Sequence, residues 1–298
     1  MKMDQMKKST FRKKDLVGPI IIVLLLSISV GLMIFYIANP FFNDELEGPY
    51  VKELELTKEN VRILYDYVSY APGGERNDVF LTNDTVNKDN IPNKDKLYYA
   101  LQFANPDDFK STGKKDEDKN PIFNISDAKI DTYMKRFFGS SITYKKENSL
   151  DCILEFNDEA IYGATLTYSV ENKGYDTVLK KDYKKEENEE KKDVKDYVKP
   201  FYTKLYKASL FENDSIELQE KIVYTKVKEQ NDLYTIEVYG DFRYQNLIEK
   251  RNNLTESQLK NSVFNLNEYK HTAATVYYTF KVEEGIYYFD NSIVANNK

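Results

Sequence analysis

The sequence predicts an α+β domain, with helices packed on one face of a twisted antiparallel sheet, carried behind a single membrane-spanning helix. Three observations predict it. Residues 16–38 form an uncharged apolar run, helix-period stripes lie between residues 57 and 138, and two-residue alternation takes over from Phe201. Helices early and paired strands late place the helices together on one side of an antiparallel sheet. Alternating βαβ units are absent, which argues against a doubly wound fold.

The run 16–38 reads LVGPIIIVLLLSISVGLMIFYIA. At about 1.5 Å per residue it reaches across a hydrocarbon core of roughly 30 Å. Lys2, Lys7, Lys8, Arg12, Lys13 and Lys14 precede it, and Asp44, Glu45, Glu47, Glu53, Glu55 and Glu59 come after it. Positive charge flanking a span stays cytoplasmic, so the basic tail 1–15 is expected inside and residues 39–298 outside. Pro19 falls in the first turn, where a missing N–H does little harm. Tyr36, Phe41 and Phe42 suit the outer interface. The run exceeds the about 7–15 apolar residues of a secretory signal, so an uncleaved signal-anchor is expected.

Of the 298 residues, 260 follow the anchor, enough for one large domain or two small ones. The formal charge is −6; residues 1–15 hold six basic groups against two acidic ones, so the rest carries −10. An acidic domain repels nucleic acid, which is excluded as a partner. The chain has one cysteine, Cys152, so it has no internal disulfide. Within LDCILEF this residue reads as a small buried apolar group.

Residues 57–70 read as a helix capped by Thr57, with Val61, Leu64, Tyr65 and Val68 on one stripe. Pro72-Gly73-Gly74 stops it. Residues 75–94 are polar and read as a loop. Residues 95–104 read as a short helix halted by Asn105-Pro106. Residues 106–121 read as a mobile charged insertion. Ser126 caps the clearest helix, through Phe138, with Ile130, Tyr133, Met134 and Phe137 inward and Gly139 past its end.

Short strands are expected at 142–146, 152–156 and 161–170. The charged stretch 180–196 reads as a solvated loop and a candidate sub-boundary. Strands follow at 201–211, 216–228, 233–239, 272–282 and 286–294, rich in Tyr, Val, Ile, Phe and Thr. Asn213-Asp214, Gln230-Asn231-Asp232 and Glu283-Glu284-Gly285 have hairpin spacing. Thr255 and Gln258 have capping-box spacing for a short helix.

No catalytic, cofactor-binding or metal-ligating residue is predicted. His271 is the one histidine and has no Cys pair to complete a zinc site. No G-x-S-x-G turn accompanies it. The carboxylate pairs Asp107-Asp108, Asp116-Glu117-Asp118, Glu186-Glu187 and Glu189-Glu190 lie in lysine-rich polar stretches without the apolar setting that shifts a pKa. Residues 116–120 lack calcium-loop spacing. No P-loop or G-x-G-x-x-G occurs. Tyr202, Tyr206, Tyr224, Tyr234, Tyr277 and Tyr287 could line a sugar or peptide groove, but they are also ordinary sheet residues in a chain without Trp.

The stretches IPNKDKLYYALQFA, ISDAKIDTYMKRFFGSSITYKKE and VYYTFKVEEGIYYF resemble uncharacterised single-pass membrane proteins of low-GC Gram-positive bacteria. That resemblance implies no activity and no catalytic residue. In layout the chain also resembles accessory proteins of conjugation and type IV secretion, which implies a nuclear-transport-factor-two-like or cystatin-like domain. The expectation is a non-enzymatic, membrane-anchored module outside the cell. It contacts the bilayer through 16–38, and binds a protein partner or itself in the envelope. A secretion-complex scaffold and an envelope hydrolase are the alternatives.

Overall fold

The computed structural model describes residues 49–71, 75–76, 78–81, 84–156, 160–181 and 194–295. The basic tail 1–15, the apolar run 16–38, the Pro72-Gly73-Gly74 stop and the acidic pairs at 186–190 lie outside them. Among the described residues no helix is long and apolar enough to cross a membrane.

In chain order the first elements are β1 (Tyr50–Glu53), α1 (Glu59–Ser69), β2 (Tyr70–Ala71), β3 (Glu75–Arg76), β4 (Thr85–Asn87) and α2 (Asn93–Gln102). Then come β5 (Lys110–Lys115), β6 (Pro121–Ser126), α3 (Asp127–Phe138), β7 (Ser149–Phe156), β8 (Ala160–Ser169), β9 (Gly174–Thr177) and β10 (Lys180–Lys181). The last are β11 (Phe201–Phe211), β12 (Ile216–Gln230), β13 (Leu233–Tyr239), β14 (Leu247–Leu254), α4 (Glu256–Lys260), β15 (Ala274–Glu283) and β16 (Ile286–Ala295).

Two antiparallel sheets dominate. The larger runs β1-β11-β12-β15-β16-β4, with β13 on β12 and β14 on β13. The smaller runs β10-β8-β9-β6-β5, with β7 also on β8. The long β12 serves two partners in turn: Ile216–Ile222 pair with β15 and Tyr224–Gln230 with β13.

This corrects the predicted fold class. Among the described residues strands take 47% and helices 22%, in two large sheets and the short β2-β3 pair, with four α-helices, so the fold is not a set of helices on one sheet. The nuclear-transport-factor-two-like and cystatin-like expectations fall with it. The physical reason is that many strands are short and polar. β1 (YVKE), β5 (KSTGKK) and β14 (LIEKRNNL) carry charge instead of alternation. Lysine on sheet edges blocks unwanted strand pairing, and it hides the strand from a periodicity reading. Thus 75–94, read as a loop, holds β3 and β4, and 106–121, read as a charged insertion, contains β5. The converse error is 142–146, which forms no strand.

Where local chemistry was explicit, the elements agree. The Ser126 hydroxyl accepts from the Lys129 N–H at the start of α3. Thr255 and Gln258 form a reciprocal capping box on α4. Asp214, Asn231, Asp232, Glu284 and Gly285 all take positive φ in the expected turns. Thr57 does not cap α1; Lys58 stands there, without a side-chain bond.

One core joins both sheets. Leu150, Leu154 and Leu166 of the smaller sheet and Leu218, Val276 and Phe280 of the larger belong to a single buried cluster. Val61, Leu64 and Val68 of α1, Leu97 and Leu101 of α2, and Ile130 and Met134 of α3 complete it. A second cluster gathers Val223, Ile236 and Val238 under Leu259, Phe264 and Tyr269. Glu220, fully buried, accepts hydrogen bonds from Tyr65 (2.5 Å) and Tyr278 (2.8 Å).

Two glycines test this packing. Gly139 (φ +83°) follows α3, and a Cβ there would lie 2.9 Å from the Tyr288 ring; Gly285 (φ +81°) has open space. Tyr288 is buried and Lys88 sits 4.5 Å above its ring, so the ring cannot easily retreat. Gly285→Ala should cost about 1 kcal/mol from backbone strain alone. Gly139→Ala should cost at least about 2 kcal/mol, because overpacking adds to that strain. Urea midpoints of the two variants check the order.

Candidate functional site

The C-terminal ends of α1 and α2 converge on the side of α3. Between them opens a cleft of about 800 Å³, within the range of small-ligand sites. Asp66 and Tyr70 come from the end of α1, Gln102 to Pro106 and Asp108 from the end of α2 and its exit turn, and Lys129, Tyr133 and Arg136 from α3. Glu155 of β7 closes the rim.

The exit turn is built locally. Asn105 precedes Pro106, and its side chain accepts from the Asp107 N–H at 2.9 Å, the usual asparagine turn. The turn delivers Asp108 to Lys129 (2.8 Å) and to the Tyr133 hydroxyl (2.7 Å). The same hydroxyl accepts from the Asn105 N–H at 2.7 Å. Burial pushes the Asp108 pKa up, but the Lys129 and Tyr133 hydrogen bonds outweigh it and hold the group below the usual carboxylate range. Burial pushes the Tyr133 phenol above its ordinary value.

The other charged groups are partly committed. Tyr70 donates to Glu155 at 2.7 Å. Arg136 donates to the Tyr67 hydroxyl at 2.9 Å and lies 5.7 Å from the centre of the Phe137 ring. Asp66 is raised, because partial desolvation exceeds the pull of nearby Arg62.

Gln102 is different. It is 4% exposed and lines the cleft, yet neither its Oε1 nor its Nε2 has a hydrogen-bond partner. A carboxamide offers one acceptor oxygen and two N–H donors. Leaving such groups buried and unmet costs about 1–3 kcal/mol each. The arrangement can therefore hold a polar ligand that supplies both an acceptor and a donor. Among the described residues the cleft lining contains no serine, cysteine or histidine.

No catalytic residue was expected, and of the described groups weighed in the sequence Asp108 alone lines the cleft, where, against burial, hydrogen bonds from Lys129 and Tyr133 lower its pKa; this corrects the reading of Asp107-Asp108 as a plain polar pair. His271 is exposed before β15. Cys152 is buried, and burial pushes its thiol far up. Asp116 accepts from Asn120 in the β5–β6 turn. Among the described residues no three His, Cys, Asp or Glu side chains come together as metal ligands. The six tyrosines do not line one groove. Tyr224 belongs to the main core, Tyr234 to the second cluster, and Tyr206 stands exposed.

Gln102 and Arg136 were missed. The available signal was a glutamine three residues after Tyr99, on the buried side of LYYALQFA. No family model, no curated protein and no solved structure matches this chain. The cleft's own geometry therefore carries the functional reading.

The Asp108 network predicts a pH dependence. Its depressed pKa adds stability above the unfolded value near 3.8. That stability is lost as pH falls through the lower folded value. Asp108→Asn should lower the melting temperature at pH 6, and its gap from the native chain should shrink steadily toward pH 3. Thermal unfolding across that range checks it; a constant gap would remove the role of the ion pair.

Proposed function

We propose that this chain is a membrane-tethered binding protein whose ligand enters the cleft between α1, α2 and α3. Residues 16–38 anchor it and residues 39–298 face outward. The observation that carries the binding role is the Gln102 amide, buried with both ends unmet. Nearly all buried polar groups in folded proteins have partners. A bound ligand that pairs with the amide offsets that cost.

The commitments of the other groups support binding over catalysis. Asp108 and Tyr133 hold each other and Lys129, and Tyr70 holds Glu155. A catalytic acid or base needs freedom to exchange its proton with substrate, near the working pH. The orientation rests on six basic groups before the apolar run and acidic groups after it.

Two measurements test the reading. Protease added to intact cells should remove an epitope placed after Lys298 and spare one placed before Lys2; the reverse pattern overturns the orientation. For binding, a ligand that occupies the native state alone raises the melting temperature. Small polar compounds screened against the full chain in detergent micelles should yield stabilisers whose effect disappears in Arg136→Ala. Catalytic turnover abolished by Asp66→Asn would replace the binding role with an enzymatic one.

A further inference from the structure

We propose that the cleft binds a peptide in extended conformation, with the Gln102 carboxamide pairing to the N–H and C=O of one ligand residue. This rests on the cleft being the ligand site, and it names the class of ligand.

The shape of the unmet group sets the chemistry of its partner. The Gln102 Oε1 and Nε2 are both buried and both without a partner. A ligand must therefore offer an acceptor and a donor side by side. In an extended chain the N–H and C=O of one residue point to the same side, and alternate residues point to the other. A carboxamide carries the complementary pair side by side, an acceptor oxygen and an N–H donor. It can stand in for a strand residue and form both bonds at once. Among the described residues, Thr177, Ser215 and Asn291 leave one buried atom unmet, whereas Gln102 leaves two.

The walls suit a polymer with mixed side chains. Phe103, Ala104 and Pro106 provide apolar contact, and Arg136 provides a cation. One Arg136 N–H goes to Tyr67, which leaves guanidinium donors for a carboxylate. An acidic side chain close to the residue read by Gln102 is favoured.

A carbohydrate fits less well. Sugar rings stack on a free aromatic face, and the Phe103 ring is already engaged by Tyr67 (5.4 Å), Tyr99 (5.5 Å) and Phe137 (5.1 Å). Tyr133 is 8% exposed. The lining offers hydrogen bonds and charge more than stacking.

The test uses the full chain in detergent micelles and fluorescein-labelled decapeptide pools. Each pool fixes one Glu and draws its other residues from Ala, Ser, Val and Leu. A second set carries an N-methyl group at each backbone nitrogen in turn, which removes a single N–H. Anisotropy titrations should show that methylation at one position, counted from the Glu, weakens binding about tenfold, as expected for one buried hydrogen bond. Gln102→Leu should weaken the unmethylated peptide by a similar factor, and methylation should then cost nothing more. The variant removes an unmet polar group, so its melting temperature should equal or exceed that of the native chain, which separates lost binding from lost folding. Arg136→Ala should weaken the Glu pools, and a matched set with Gln in place of the fixed Glu should not respond to it.

Peptide binding indifferent to methylation and to Gln102→Leu overturns the inference. Cellohexaose binding that depends on Gln102, with no peptide binding, overturns the peptide class and keeps the cleft as the site. If neither probe responds to Gln102→Leu or Arg136→Ala, the inference and the binding role of the cleft fall together.

Discussion

Four aromatic rings hold this structure's three main helices in place. Tyr67 of α1, Tyr99 and Phe103 at the end of α2, and Phe137 of α3 meet with centroids 5.0 to 5.5 Å apart. Most contacts are edge-to-face, the geometry in which the positive rim of one ring meets the negative face of the next. The Tyr99 hydroxyl also donates to the Tyr67 carbonyl, one of those that α1 leaves open at its end. Phe80 extends the cluster, 4.9 Å from Tyr99 and 4.4 Å from Phe289 of β16. The helix ends are thus tied to the larger sheet, and the cleft between them inherits that rigidity.

The same cluster explains why Gln102 stays where it is. It lies between Leu101, which is fully buried, and Phe103, which is engaged by three rings. Elsewhere among the described residues only Thr177, Ser215 and Asn291 leave a buried side-chain atom unmet, one each. Glu220 receives two phenols, and Asp241 accepts from the backbone N–H groups of Gln245 and Asn246. Against that background an amide unmet at both ends is a local exception. Exceptions of this kind gather at functional sites, where the fold gives up stability for recognition.

The legible parts of the sequence were those whose signal is local. Ser126 capped α3 because a hydroxyl can reach the N–H three residues on. Phe201–Phe211 and Leu233–Tyr239 alternate strongly enough that their bounds matched the reading residue for residue. The short polar strands failed for the opposite reason. β4 has three residues, and it is a strand because Val86 and its neighbours pair with β16, about 200 positions away. Such pairing is tertiary, and no window of a few residues encodes it. The second sheet was lost with these strands, and so was the fold class. The site was hidden in the same way. Asp66, Gln102 and Arg136 are separated by more than thirty residues at each step, and only the packed helix ends bring them together.

The proposed recognition in the cleft depends on a Gln102 amide that is buried and unpaired in the free protein. Glutamine-selective nitrogen-15 labelling, with the Gln102 side-chain signal assigned by its loss in Gln102→Leu, reads that state directly. An unpaired amide places its NH₂ proton shifts at the weakly bonded end of the range in the free chain. A downfield signal slow to exchange with water, before any ligand is added, would mean that an internal partner already holds the amide and would contradict the binding role built on it.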